Sequence, residues 1–256
     1  MPPTPNHSLR LSQEGLKGIA CISMLLDHTG AILILPLYYA LARGGHPTQT
    51  VRDLYDLLRT LGRLAFPIYC FLLVEGVIHT RNPRRYGLRL LISAILSELP
   101  FDLALHSAPS WQNQSVMITL LLGFLALTLM NKCPPLPVKL LVLLPFLWAA
   151  DWMNTDYGAK GVALIALFAL TRDIPRKHLI QTLGMWCIFS PNHLMALNWL
   201  EGFSLTTQEL AVFAMIPIAL YSGEKKTGSK KLQWAFYLFY PVHLTVLWGL
   251  KCLFFG

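Results

Sequence analysis

Apolar runs recur along nearly the whole chain, and ionisable residues sit inside several of them. The first, LKGIACISMLLDHTGAILIL over 16–35, carries Lys17, Asp27 and His28. Roughly 20 apolar residues cross a bilayer core, and an Asp, Lys or Arg at its centre costs about 2.5–3.5 kcal/mol on insertion scales. A chain that repeats such runs folds as a membrane helix bundle, and each charge inside it needs a partner or a task. The 256 residues are 54% hydrophobic and 13% charged, with mean hydropathy +0.49. A soluble domain carries about 25% charged residues, so these are too few to coat a water-soluble globule. An ordinary soluble enzyme and a disordered chain are both excluded.

The pattern predicts an all-α, polytopic membrane helix bundle of about nine transmembrane helices, near 16–35, 61–79, 86–105, 116–131, 137–151, 158–171, 178–196, 207–221 and 233–254. Residues 1–15 form a flexible cytoplasmic tail, and 16–256 a single membrane domain. An amphipathic stretch at 50–60, VRDLYDLLRT, is expected to lie on the membrane surface. The formal charge of +8 reflects Lys and Arg in the breaks between runs, which speaks for topology rather than nucleic acid. Basic breaks at 80–89, 171–177 and 222–231 alternate with 106–115 and 195–206, which carry none. The basic set faces the cytoplasm, with the carboxyl terminus outside for nine helices. The 36–60 loop, external in this scheme, breaks the rule with Arg43, Arg52 and Arg59. The five cysteines show no CxxC and no ligand spacing, so they read as small buried hydrophobes, with no disulfide and no metal.

The intramembrane charges are the candidate site. Lys17 and His28 are eleven residues apart, about 16 Å of helical rise, and nearly on one face. Lys17 also fits a snorkelling boundary residue, and Asp27 with His28 a buried hydrogen-bonded pair. Imidazole is suited to proton transfer, and an adjacent carboxylate can set its tautomer. Arg63, Glu75, Glu98, Asp102, Tyr240 and His243 make a possible polar network. Arg63 would pair with Asp102 or Glu98, and Glu75 with Arg81 or Arg85. Pro100 is expected to kink the third helix. Asp156 and Lys160 have the spacing of a simple i,i+4 pair.

The blocks LLDHTG, LGRLAFPIYCFLLVEGVIHTRN, YGLRLLISAILSELPFDLAL, TDYGAKG and FYLFYPVHL resemble the TraX family, named for the conjugative-plasmid protein that acetylates the amino terminus of F-type pilin. The resemblance implies a multi-pass acyltransferase of the acyltransferase-3 type in the bacterial cytoplasmic membrane. Many of those enzymes carry Arg, ten residues, then His in the first helix. Here Lys17 and His28 keep the spacing, with a point charge in place of a bidentate fork. The resemblance further implies acetyl-CoA or another acyl-CoA as cytoplasmic donor. The acceptor would be an amine or hydroxyl on the outer side, a pilin amino terminus or an envelope component.

In the reading that follows, His28 is catalytic, Asp27 orients it, and Lys17, Arg81, Arg85 and Arg89 attract the donor phosphates. His28 either takes a proton from the acceptor or carries the acyl group. The rivals are a proton-coupled secondary transporter, which would show internal repeats that this sequence lacks, and a noncatalytic membrane assembly factor. The expected partners are acyl-CoA, the acceptor and the lipid bilayer, without nucleic acid.

Overall fold

The computed structural model describes residues 10–46, 48–133, 135–190, 208–223 and 230–255. These residues are all-helical, with no strand and two isolated backbone bridges, Leu11 to Tyr221 and Gln114 to Thr155. Helix α1 (Gln13–Thr29) starts at Ser12, whose hydroxyl accepts from the Gly15 amide at 3.2 Å. A serine N-cap satisfies one of the four free amides of a helix start. The expected tail is therefore helical from Gln13, and residues 1–9 lie outside the described set.

A π turn (Gly30–Ile34) joins α1 to α2 (Leu35–Arg43), giving one continuous helix of 31 residues. At 1.5 Å per residue it is about 46 Å long, beyond the ~30 Å hydrocarbon core. The chain then reverses into α3 (Gln49–Gly62) and, after a short turn, α4 (Ala65–His79). This corrects two expectations. Residues 36–60 are a helical hairpin rather than a loop, and the amphipathic stretch packs along α1 rather than resting on a membrane surface. Val51, Tyr55, Leu58, Arg59 and Gly62 form the inward stripe of α3. An arginine on that stripe is the physical reason, because its partner lies on α1.

Helix α4 is apolar on all sides and forms the centre of the bundle, with Ile68, Cys70, Leu73 and Val74 buried. Helix α5 (Pro83–His106) is capped by Asn82, whose side chain accepts from the Arg85 amide at 3.0 Å. It runs as one helix through Pro100 and packs on α11 (Lys230–Phe255). Helices α6 (Val116–Met130), α7 (Leu136–Trp152) and α8 (Gly158–Leu170) pack on one another. Helix α9 (Lys177–Phe189) lies on α8 and on a 3-10 turn (Glu209–Ala214) that leads into α10 (Met215–Ala219). The seventh predicted helix, 178–196, thus ends at Phe189. Its remainder, the 195–206 break and most of the 222–231 break lie outside the described residues.

The outer surface is apolar. Ile95, Leu99, Leu141, Leu144, Trp148, Val242 and Val246 are all more than half exposed. A water-soluble monomer rarely shows contiguous patches of this kind. Three helices among the described residues are long and apolar enough to cross a membrane: Gln13–Arg43, Gln49–His79 and Trp234–Phe255. Val116–Met130, Gly158–Leu170 and Glu209–Ala219 are apolar but shorter. Cys21 and Cys70 are buried as expected and Cys133 is half-buried, whereas Cys187 and Cys252 lie on the exposed outer surface; all five are free.

The bundle has two distinct ends. At one, the Leu11 amide donates to the Leu220 carbonyl at 2.8 Å and Arg172 pairs with Glu75 at 3.3 Å. Arg81, Arg84 and Arg85 follow α4 at this same end. At the other, the Gln114 amide donates to the Asn154 carbonyl at 3.0 Å, and Lys251 caps α5 by donating to the Ala104 carbonyl at 3.1 Å. Positive-inside logic predicts that the Arg84 end is cytoplasmic. In a background with the five native cysteines replaced by alanine, an impermeant thiol reagent applied to intact cells should label a Trp111→Cys variant and leave Arg84→Cys unlabelled until the cells are opened. Labelling of Arg84→Cys in intact cells would invert the orientation.

Candidate functional site

Asp27 and His28 are consecutive on α1, so their side chains point about 100° apart and meet different neighbours. Asp27 accepts from two arginines. Arg59 Nη1 is 2.6 Å from its Oδ2, and Arg63 Nη2 is 3.0 Å from its Oδ1. Arg63 also donates to Gln208 Oε1 at 2.9 Å. The end of α3 approaches this closely because it finishes on glycine: a Cβ on Gly62 would lie 2.7 Å from the Asp27 Cα. The expected contact of Asp27 with His28 is absent, and so is the expected pairing of Arg63 with Glu98 or Asp102.

His28 reaches α11 instead. Its Nδ1 is 2.7 Å from His243 Nε2, and His243 Nδ1 is 2.6 Å from the Phe239 carbonyl one turn earlier. The Tyr240 ring stands edge-on to both imidazoles, with centroids 5.8 and 5.6 Å away. Its hydroxyl is buried beside the backbone of Val116, with no hydrogen bond of ordinary geometry among the described residues. Within α11, Pro241 has no amide hydrogen to give to the Tyr237 carbonyl. Ser93 Oγ of α5 donates to that carbonyl at 3.2 Å, which ties the two helices at the level of the site.

A cavity of about 610 Å³ runs alongside α1. Gln13, Glu14 and Lys17 line it at the cytoplasmic end predicted above, Met24, Asp27 and His28 further along, and Asp156 and Tyr157 near the other end. Arg81 and Arg89 line it as well. Lys17 Nζ lies 5.1 Å from the Phe236 ring centroid, and the Arg89 guanidinium 5.8 and 5.7 Å from those of Tyr86 and Tyr237. Arg89 Nε is buried without a hydrogen-bond partner. A buried donor left unmatched costs about 1–3 kcal/mol, so this wall suits an anionic ligand. Arg85, grouped with these cations from the sequence, is exposed in the first turn of α5 and does not line the cavity.

The remaining candidates form separate local contacts rather than one network. Glu98 accepts from the Ser115 hydroxyl at 2.6 Å and from its amide at 3.2 Å, holding the start of α6. Asp102 accepts from the Ser110 amide at 2.9 Å. Glu75 pairs with Arg172 at 3.3 Å and faces His79 at 3.7 Å, not Arg81 or Arg85. Carboxylates near helix ends find loop amides and nearby cations at less desolvation cost than a partner across the bundle. Asp156 faces the cavity, and no ion pair links it to Lys160 among the described residues.

The sequence reading left out Arg59, Tyr86, Phe236 and Tyr237. A signal for Arg59 exists: it lies four residues before Arg63, so on one helix both face the same way. The three aromatics carry no such mark in a chain this rich in them. No cluster of metal-ligating side chains occurs among the described residues.

An apolar exterior around a partly buried ion triad, with a cavity joining a cationic mouth to a histidine pair, defines a membrane-associated helix bundle with an internal cavity. A family model described as TraX protein matches residues 12–251, and the chain belongs to the TraX family. It is 29% identical over 266 residues to a probable fimbrial assembly protein FimC, serogroup H1, of Dichelobacter nodosus, an alignment covering 96% of this chain and 98% of that one. No solved structure matches the chain.

The close approach of Gly62 to α1 can be tested directly. Gly62→Ala should push α3 off Asp27 and destabilise the folded protein by about 1–3 kcal/mol, the usual cost of overpacking. Thermal unfolding in detergent should show a lower midpoint, while Gly249→Ala, exposed on a helix with open space around the added Cβ, should not lower it. Equal midpoints for Gly62→Ala and the parent would remove the steric argument.

Proposed function

We propose that this protein is a multi-pass acyltransferase of the bacterial cytoplasmic membrane. It moves an acyl group, acetyl above all, from cytoplasmic acyl-CoA to an amine or hydroxyl on the outer side. The observation that carries this reading is the cavity, which begins among Lys17, Arg81 and Arg89 and passes His28. In this reading the phosphates of the donor sit near the cations. The pantetheine arm follows the apolar wall, and the thioester arrives at His28, about 16 Å along α1 from Lys17.

His28 is the catalytic group, with the Tyr240 ring edge-on beside it in the cavity wall. Asp27 holds Arg59 and Arg63. Its part is to anchor α3 and keep two cations beside the outer half of the cavity. The relative named for fimbrial assembly supports an acceptor on a fimbrial or pilin subunit, with an envelope component as the other class. A role in assembly without catalysis is the competing outcome of the test.

The test is transfer of labelled acetyl from acetyl-CoA by purified protein in vesicles, with membrane extract supplying acceptor. His28→Ala should lower turnover by at least about 100-fold while the protein still accumulates and folds. Arg89→Ala should raise the donor KM about tenfold with a smaller effect on kcat. Donor binding should weaken as salt rises, because the contacts are ionic. Wild-type turnover by His28→Ala would end the proposed mechanism. Folded protein that neither binds acetyl-CoA nor transfers acetyl would leave the assembly role.

A further inference from the structure

With both rings neutral, the histidine pair admits one arrangement of protons. The Phe239 carbonyl only accepts, so His243 Nδ1, 2.6 Å away, carries the hydrogen. A neutral His243 then has a bare Nε2, which only accepts. His28 Nδ1, 2.7 Å from it, therefore donates. The hydrogen left to a neutral His28 is thereby used, and its Nε2 is unprotonated. No described residue bonds to that nitrogen, and His28 lines the cavity. The geometry points to His243 as a positioning residue, which fixes His28 in its Nδ1-protonated tautomer and holds the Nε2 lone pair open to a ligand in the cavity.

The local structure explains why the relay is rigid. Helical side chains lean toward the amino-terminal end of their helix, so His243 reaches back over the carbonyl of Phe239, four residues earlier. The bond from Ser93 to the Tyr237 carbonyl fixes the rotation of α11 against α5. A carboxylate performs the equivalent task in a serine-protease triad. Here a second imidazole backed by a carbonyl does so without adding another negative charge to an apolar interior, where such a charge is expensive. Asp27, the carboxylate adjacent in sequence, is occupied by two arginines and has no part in the relay.

The consequence for chemistry rests on the acyl-transfer reading. An acceptor N–H or O–H attacks the thioester carbon, and its proton passes to His28 Nε2. The carbon–sulfur bond breaks, and the same proton leaves with the CoA sulfur as a free thiol. The acceptor keeps the acyl group, and His28 returns to its starting tautomer. A histidine fixed the other way would present an N–H to the acceptor and could not take the first proton.

The tautomer can be read without turnover. Asp27–His28 is the chain's only Asp-His dipeptide, so carbonyl-13C aspartate with 15N histidine assigns His28 without a mutation. Long-range 1H–15N spectra of the full protein in nanodiscs should show His28 protonated on Nδ1 and bare on Nε2. In His243→Gln the amide oxygen replaces the accepting Nε2, so the tautomer should persist. In His243→Leu it should shift toward Nε2–H. In the acetyl-transfer assay, His243→Leu should lower kcat about tenfold or more with donor KM little changed, and His243→Gln should recover most of the loss. A wild-type His28 protonated on Nε2 overturns the inference even if acetyl transfer is intact. An unchanged tautomer in folded His243→Leu does the same. If that variant fails to fold, the wild-type spectrum still decides. The expected tautomer in a protein without acetyl transfer upholds the relay and ends the acyltransferase reading alone.

Discussion

Asp27 between Arg59 and Arg63 is the contact on which the pairing of α1 with α3 depends. A carboxylate placed about midway along a membrane-length helix is costly to leave unpaired in hydrocarbon. Its pairing requires a second helix to come back alongside α1, and α3 does so. The hairpin of α2 and α3 is thus set by an ion pair as much as by apolar packing. Gly62 allows the approach, and the neighbouring Gly30 sits close against Leu58 in the π turn, where a Cβ would come within 3.2 Å. Both glycines keep α1 and α3 close where the charges meet.

The same geometry divides the work of adjacent residues. Asp27 faces α3 and closes an ion triad. His28 faces α11 and enters the histidine relay. The π turn begins two residues later, and such turns are frequent at functional sites, since one extra residue rephases the helix beyond it. A structural charge and a reactive ring therefore stand side by side without touching. The cavity shows a similar division. Its predicted cytoplasmic end has cations seated against aromatic rings, while the far end has a carboxylate and tyrosines. Guanidinium and ammonium groups gain from ring faces once partly desolvated, which helps to hold these cations in place along the wall.

The sequence by itself determined a good deal. Periodicity and composition required an all-helical chain with a lipid-compatible exterior, and most helix boundaries follow the ends of the apolar runs. The ionisable residues inside those runs marked α1 as the helix that carries the site. The TraX likeness was legible in blocks that fall on α1, α4, α5, the turn before α8, and α11. The 36–60 segment was misread because its polar and basic residues look solvated when their partner is out of view. Arg59 serves a carboxylate 32 positions away in the chain.

Only the tertiary structure decided who pairs with whom. Sequence adjacency suggested that Asp27 supports His28, but neighbours on a helix diverge by about 100°. The supporting group came from 215 residues further along the chain. Arg63, Glu75, Glu98 and Asp102 looked like one network because all are charges in apolar runs, and they separated because each found a nearer cap or counter-ion. Periodicity fixes which face of a helix a residue occupies. It carries no information on which other helix that face meets, since that depends on the crossing and depth of segments far apart in the chain.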